Sequence, residues 1–332
     1  MHPDSSRRRF LGQCAAAATA ASLVPSFAWA QGDGYPSRPI RIVVGYPPGQ
    51  TVDTGARALS IALADILGKP VFVDNKAGAN GILGAQDVRN AAPDGYTLLL
   101  GTSGQLAINP SIYAKPGYDP VKDFAPVMLN GVGRLYVVVP AASPFHTLAD
   151  LVAYAKAHPG KLNYGSGGRG ITANLAMEML KKAAGADIVH VPYKGSSAAL
   201  TDLIGSQIDV MMDAGGLVLP QVRQGKLKVL GVSSKGRYKE LPQVPTIAEQ
   251  GYPGFEVASW TAVLAPAATP PAVVEKLNKA LLQAQRRPDV IRSAETSGSE
   301  LEGGSPEQLK AFLVAENRKW GEAARAAGVT PE

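Results

Sequence analysis

The stretch Ile40-Arg41-Ile42-Val43-Val44-Gly45-Tyr46-Pro47-Pro48-Gly49-Gln50-Thr51-Val52-Asp53 decides the fold. Its first half is nearly continuously apolar and β-branched, as a strand covered on both faces should be. Pro47-Pro48-Gly49 turns the chain. Ala56, Leu59, Leu63, Ile66 and Leu67 then recur at helical spacing. Moving outward, 71–73 reads as a second strand and 82–88 as a helix. Pro93-Asp94-Gly95 is a stop, and 97–100 is a third strand. Strand, helix, strand, helix, strand predicts an α/β sheet with right-handed crossovers.

The pattern restarts further on. Strands are expected at 135–139, 161–164, 188–191, 208–212, 227–232 and 261–264. Helices are expected at 147–158, with Thr147 as N-cap and Asp150 in the first turn, and at 173–183 and 198–204. Thr269-Pro270 and Ser305-Pro306 open two tail helices, the second placing Leu309, Phe312, Leu313, Glu316 and Trp320 on one face. This series predicts two α/β domains joined by two crossings, near 129–133 and 256–261. Domain 1 is discontinuous, 31–131 plus 257–332, and domain 2 is 132–256. A hinged pair of domains leaves a cleft that suits a small ligand.

Length and composition agree. The chain has 332 residues, 45% of them hydrophobic and 18% charged, with 36 Gly, 26 Pro and a single Cys. One cysteine excludes a disulfide scaffold and any Cys-rich metal site. Residues 1–30 read as an export signal: Arg7, Arg8 and Arg9 precede an Ala-rich segment that ends in Ala28-Trp29-Ala30. Ser6-Arg7-Arg8-Arg9-Phe10-Leu11 has the twin-arginine pattern. Cleavage after Ala30 would deliver a chain beginning at Gln31 to the periplasm. It would also remove Cys14 and reduce the net charge from +6 to +4, with 30 basic against 26 acidic residues. That excess, and the lack of any Lys/Arg run, excludes nucleic acid as a partner.

The chemistry is concentrated in four turns, each following a strand and opening a helix. They are 45–53, 75–81, 165–172 (Gly-Ser-Gly-Gly-Arg-Gly-Ile-Thr) and 193–197 (Tyr-Lys-Gly-Ser-Ser). Helix N-termini carry unpaired N–H groups and partial positive charge. Glycine lets an anion approach the backbone, so such turns hold a carboxylate or phosphate without an arginine clamp. Gly165-Ser166-Gly167-Gly168-Arg169-Gly170 matches G-x-G-x-x-G. Its acidic residue, Asp187, precedes the next strand instead of ending it, so no nucleotide cofactor is expected. Neither Ser103 nor Ser166 sits in a G-x-S-x-G elbow, and His146, His158 and His190 lack metal spacing. A Ser–His pair formed in space is invisible at this level. Asp213 follows an apolar strand and is the acid expected to face the cleft. Arg169 reads equally as an anion contact and as a solvated loop residue.

A set of short motifs in fixed order carries a family resemblance. They are Tyr35-Pro36-Ser37-Arg38-Pro39-Ile40, Pro47-Pro48-Gly49 with Asp53 and Ala56-Arg57, and Pro93-Asp94-Gly95-Tyr96-Thr97-Leu98. Tyr118-Asp119-Pro120, Asp123-Phe124, His190-Val191-Pro192-Tyr193-Lys194-Gly195, Leu241-Pro242-Gln243-Val244-Pro245-Thr246 and Leu264-Ala265-Pro266 complete it. Over residues 35–328 the chain resembles the Bug-type periplasmic solute-binding proteins, the receptors of tripartite tricarboxylate transporters. The resemblance implies a two-domain periplasmic-binding-protein fold (Venus-flytrap, type II) with the ligand cleft between the domains. It implies a small carboxylate ligand, whether di- or tricarboxylate, amino acid or aromatic acid, held largely by backbone amides and water. It also implies delivery to membrane permease subunits by a monomeric receptor with no cofactor, no metal and no catalytic residues. The ligand-binding residues carried over are Tyr46, Gly49, Thr51, Asp53, Thr102, Ser103, Ser166, Gly167, Thr172, Gly195 and Asp213. Two departures fall near that pocket: Gln50 replaces the second glycine of Pro-Pro-Gly-Gly, and Asn174-Leu175-Ala176 replaces His-Leu-Ala. The competing classes are an exported enzyme, hydrolytic or cofactor-binding, in the same cleft, and a sensor with no transport role.

Overall fold

The computed structural model describes residues 34–326, so the expected signal segment 1–30 lies outside the described residues. Gly34–Ser37 belongs to a small separate unit and contains a cis Tyr35–Pro36 peptide. From Arg38 onward the chain forms one compact α/β unit.

Its elements, in chain order, begin with β1 (Ile40–Val44), α1 (Thr51–Leu67), β2 (Val71–Asn75), α2 (Ile82–Arg89) and β3 (Thr97–Thr102). A π-helical turn over Gly104–Ile108 leads into the short α3 (Asn109–Ile112) and the long β4 (Phe124–Pro140). There follow α4 (Leu148–Ala157), β5 (Asn163–Ser166), α5 (Thr172–Ala184), β6 (Val189–Pro192), α6 (Ser196–Ile204), β7 (Val210–Ala214), α7 (Gly215–Arg223) and β8 (Leu227–Val232). The chain closes with β9 (Ala258–Pro266), α8 (Pro271–Ala284), α9 (Pro288–Thr296), β10 (Ser299–Gly303) and α10 (Pro306–Ala326).

The sheet order is β2-β1-β3-β9-β4-β7-β5-β6, with β8 and β10 also paired to β4. β1 runs parallel to β2 and β3, and its central residues Ile42 and Val43 are buried, as the apolar run requires. β5 likewise runs parallel to β6 and β7. These two parallel parts are joined through β4. Its first segment pairs β9 and β10, and its second, from Leu135, pairs β7 and β8.

The two crossings expected near 129–133 and 256–261 are therefore neighbouring strands. Gly131 pairs with Thr261, Val132 with Trp260 and Gly133 with Ser259, in antiparallel register. Apolar patterning alone starts the first of these strands at Leu135. The true strand begins at Phe124, and bulges between Pro126 and Met128 and between Leu129 and Gly131 absorb residues that read as loop. Two further elements carry weak sequence signals: β10 is mostly polar, and α7 opens on Gly215-Gly216 and contains Pro220.

The apolar core is continuous across the junction. Val43 and Leu99 from the first part, Leu135 and Val137 of β4, and Leu175 and Leu180 of α5 belong to one buried cluster. The final helix fastens the assembly. Trp260 and Trp320, both buried, donate their indole N–H groups to the same Glu316 oxygen at 2.7 and 2.9 Å, and Lys319 pairs with the other oxygen at 2.9 Å. The carboxylate thus satisfies two buried donors that have no water to turn to. Glu316→Ala is expected to lower the unfolding free energy by about 2–4 kcal/mol, with Glu316→Gln less damaging because one acceptor survives. Denaturant titration followed by tryptophan fluorescence measures the difference.

Candidate functional site

The first part of the sheet presents its turns at the carboxyl ends of β1, β2 and β3. Tyr46, just past β1, is partly buried, and its hydroxyl lies 3.0 Å from Thr102 Oγ1. It also reaches both oxygens of Asn80, at 3.4 Å. Burial pushes the Tyr46 hydroxyl up to about 12 despite the bond from Thr102, so it stays protonated. Asn80 adopts a left-handed backbone (φ 50°) and donates at 2.8 Å to Asn109. Gln105, fully buried in the π turn, accepts from Thr102 N–H at 3.1 Å and donates to Gly81 O at 2.7 Å. Tyr46, Asn80, Thr102, Gln105 and Asn109 thus form one polar framework.

Asp53 underpins the neighbouring loop. Oδ2 accepts from Gly49 N–H and Arg57 Nε, each at 2.9 Å; Oδ1 accepts from Asn75 Nδ2 at 2.9 Å and Arg57 at 3.0 Å. Burial works against ionisation, but Arg57, Gly49 and Asn75 outweigh it and hold the carboxyl below its usual range. Every lone-pair direction is occupied by the chain itself, so Asp53 positions the loop, and the Gly49 N–H is spent on it. Thr51 and Gln50 are exposed at the start of α1. Asn75, Asn80, Gln105 and Asn109 were not singled out in the sequence. Asn75 and Asn80-Gly81 lie inside one of the four quoted turns, where Asn-Gly signals positive φ; Gln105 offers no such local signal.

The second part contributes three turns. Ser166, buried at the end of β5, donates to Gly168 O at 2.9 Å and lies 2.7 Å from His190 Nε2. His190 in turn stacks on Tyr164 with centroids 4.6 Å apart. This is the spatial Ser–His pair that sequence spacing could not reveal. Ser166 has one proton and two possible acceptors, Gly168 O and the Nε2 lone pair of one His190 tautomer; in the other tautomer His190 donates to Ser166 Oγ and cannot serve as its base. Burial lowers the His190 pKa, which favours the neutral ring near pH 7.

Gly167 lies against the start of α6: a Cβ there would stand 2.6 Å from Ser196 N and 2.7 Å from Ser196 Oγ. Gly195 N–H donates to Gly167 O at 3.1 Å. The glycine that in a dinucleotide fingerprint admits pyrophosphate here admits the chain's own Ser196. Arg169 is exposed. Asn174, expected near the pocket, is turned inward: Oδ1 accepts from Gly170 N–H at 2.8 Å and Nδ2 donates to Tyr164 at 2.7 Å. It shapes the loop before α5.

Asp213 ends β7 and is only 7% exposed. Burial raises its pKa; the Ser196 hydroxyl and the Ala214 N–H, the latter at 2.7 Å, favour the ionised form. Its Oδ2 is buried and has no group in hydrogen-bonding geometry.

The two parts meet at these turns. Ser103 Oγ and Thr172 Oγ1 are 3.0 Å apart, although 69 residues separate them. Beside them Gly170 packs on α3, where a Cβ would stand 2.5 Å from Ile112 Cδ1. Of the eleven candidates, Tyr46 meets Thr102, Ser103 meets Thr172, and Ser166, Gly167 and Gly195 cluster around Ser196 with Asp213. Asp53 and Gly49 support the first turn from behind. Thr51 stays apart on the surface.

An α/β sheet with donor-rich turns meeting from two parallel parts is the architecture of periplasmic binding proteins. The protein BugD, described as a periplasmic binding protein, superposes with a TM-score of 0.79 at 35% identity, covering 90% of this chain and all of that one. R. palustris Rpa4515 with adipate superposes at 0.81 and 34% identity, covering 90% of this chain and all of that one. MatC from Rhodopseudomonas palustris with bound malate superposes at 0.77 and 32% identity, covering 87% and 99%. The UPF0065 protein of the tcbD-tcbE intergenic region of Pseudomonas sp. strain P51 is 39% identical over 315 residues, 95% of this chain and 92% of its own length. Residues 56–329 match the tripartite tricarboxylate transporter family receptor, TctC, and the chain belongs to that family of periplasmic solute-binding receptors. Among the described residues no helix is long and apolar enough to cross a membrane.

The Asp53 arrangement carries a pH prediction. Its folded pKa lies below the unfolded value, so its contribution is complete above the ordinary carboxylate range and is lost as pH falls through the lowered value. Asp53→Ala should cost about 1–2 kcal/mol at pH 7, the exposed Arg57 adding little. The gap from wild type should hold steady between pH 7 and 5 and close only below about pH 4, as read by denaturant unfolding at each pH.

Proposed function

We propose that this protein is an exported receptor that captures a small carboxylate between the two parts of its sheet by hinge closure. It then presents the closed form to the permease subunits of a tripartite tricarboxylate-type transporter. In this reading 1–30 is a signal peptide, of twin-arginine pattern and cleaved after Ala30. Residues 31–131 with 257–332 form one domain and 132–256 the other, hinged on β4 and β9, and the receptor works as a monomer without catalysis.

The observation that carries the reading is the Ser103–Thr172 contact at 3.0 Å. It joins a hydroxyl that closes the turn after β3 to the first residue of α5, where unpaired N–H groups and partial positive charge are concentrated. A carboxylate held there gains donors from both parts at once, and so stabilises the closed arrangement over an open one. The adipate and malate carried by the two related structures support a carboxylate class.

A thermal-shift screen of carboxylates on ligand-free protein should find at least one saturable stabiliser, since a ligand bound only by the folded state raises stability by mass action. Ser103→Ala combined with Thr172→Ala should weaken that ligand by about a hundredfold or more, since two lost hydrogen bonds to a charged carboxylate cost about 1.5 kcal/mol or more each, with the unliganded melting temperature little changed. Stabilisation by a nucleotide or neutral sugar and by no carboxylate would sink the reading.

A further inference from the structure

We propose that Asp213 makes the site selective for carboxylates that also carry a hydrogen-bond donor, a hydroxyl or an ammonium group, near the carboxylate. The inference rests on the carboxylate reading above and narrows its ligand class.

Asp213 stands at the N-termini of two helices, with the loop that leads to a third packed against one of them. It ends β7 one residue before Ala214, the N-cap of α7. The Ser196 hydroxyl at the start of α6 acts on its carboxyl group, and the same Ser196 is packed against Gly167 in the loop leading to α5. The first part of the sheet reaches this point too: a Cβ on Gly216 would stand 2.7 Å from Ser297 O, in the turn between α9 and β10. The carboxyl group therefore lies where the donor-rich turns gather and the two parts approach.

Its chemistry is incomplete. Oδ1 is satisfied by the Ala214 N–H and the Ser196 hydroxyl stabilises the charged form from nearby, but Oδ2 is buried with no donor in full hydrogen-bonding geometry. One other carboxylate oxygen among the described residues is buried without a hydrogen bond, Asp87 Oδ2, and it has the Arg41 guanidinium at 2.9 Å. No described Lys, Arg or His forms an ion pair with Asp213. A buried carboxylate oxygen with no cation and no well-placed donor is costly, and a donor brought by the ligand would relieve it. The surrounding N–H groups and hydroxyls are donors and suit a ligand carboxylate. Asp213 offers the opposite: an acceptor that a ligand hydroxyl or ammonium satisfies and that a second ligand carboxylate meets as a like charge.

The test compares carboxylates that differ only in the donor. Succinate, malate and aspartate form one series; glutarate, 2-hydroxyglutarate and glutamate another. Propionate, lactate and alanine, and phenylacetate, mandelate and phenylglycine, extend it to monoacids and aromatic acids. Affinities are measured by calorimetry on full-length mature protein freed of ligand. The tightest binder is expected to carry a donor and to bind at least tenfold more tightly than its donor-less parent. The hydroxyl and ammonium arms identify which donor is read. In Asp213→Ala that ratio should fall below about threefold. A donor-less acid as the tightest binder, or an unchanged ratio in Asp213→Ala, overturns the inference while leaving carboxylate capture intact; the latter result would mean that water satisfies Oδ2. If the variant does not fold, the wild-type series decides alone. Failure of every carboxylate to bind removes the functional reading itself, and this inference with it.

Discussion

The antiparallel pairing of β4 with β9 is the constraint on which the rest depends. β4 is 17 residues long, and its first segment is clamped between β9 and β10 while its second carries β7 and β8. Each parallel part of the sheet is attached to the other through this strand. The ladder Gly131–Thr261, Val132–Trp260, Gly133–Ser259 therefore fixes where the turns after β3 and before α5 can meet. Trp260 extends the constraint to the C-terminal helix through Glu316, so the end of the chain is tied to the junction it crosses.

Around that junction the site is built chiefly from dipoles and hydroxyls. Charged groups work mostly behind it: Asp53 and Arg57 brace the first loop, and Glu178 with Lys181 anchors Tyr164 beneath the second. Leaving the front to N–H groups and hydroxyls suits the proposed reversible capture, because no permanent counter-charge would have to be desolvated on closure. Asp213 departs from this scheme, and an acidic group among donors discriminates between ligands more than it adds affinity.

Much of this was legible in the sequence, where local chemistry decides structure. The strand at 227–232 is found with the expected bounds, and Thr147 is the expected N-cap with Asp150 in the first turn, where the two also close a capping box. The alternation of parallel strands and helices follows directly from apolar periodicity. Strand starts at 161 and 188 lie one or two residues early, because apolar or polar character at a strand end does not report where the ladder begins. The first segment of β4 was hidden because Pro126, Asn130, Gly131 and Gly133 all favour loops. Pairing on both sides and two bulges make them strand, which is a tertiary decision. In the candidate site, residue types could be read but their partners could not. Ser166 and His190 are 24 positions apart, and Ser103 and Thr172 are 69 apart. Asp53 and Asn174 illustrate the converse: both fall at the right place in the chain, and both spend their polar atoms on their own loops.

The measurement that bears most directly on the account is a crystal structure with the tightest-binding carboxylate. The account predicts carboxylate oxygens within hydrogen-bonding distance of donors from both parts at once, the turn of Thr102 and Ser103 on one side and the loop ending at Thr172 on the other. A ligand seated outside this junction, or held by only one part of the sheet, would contradict it.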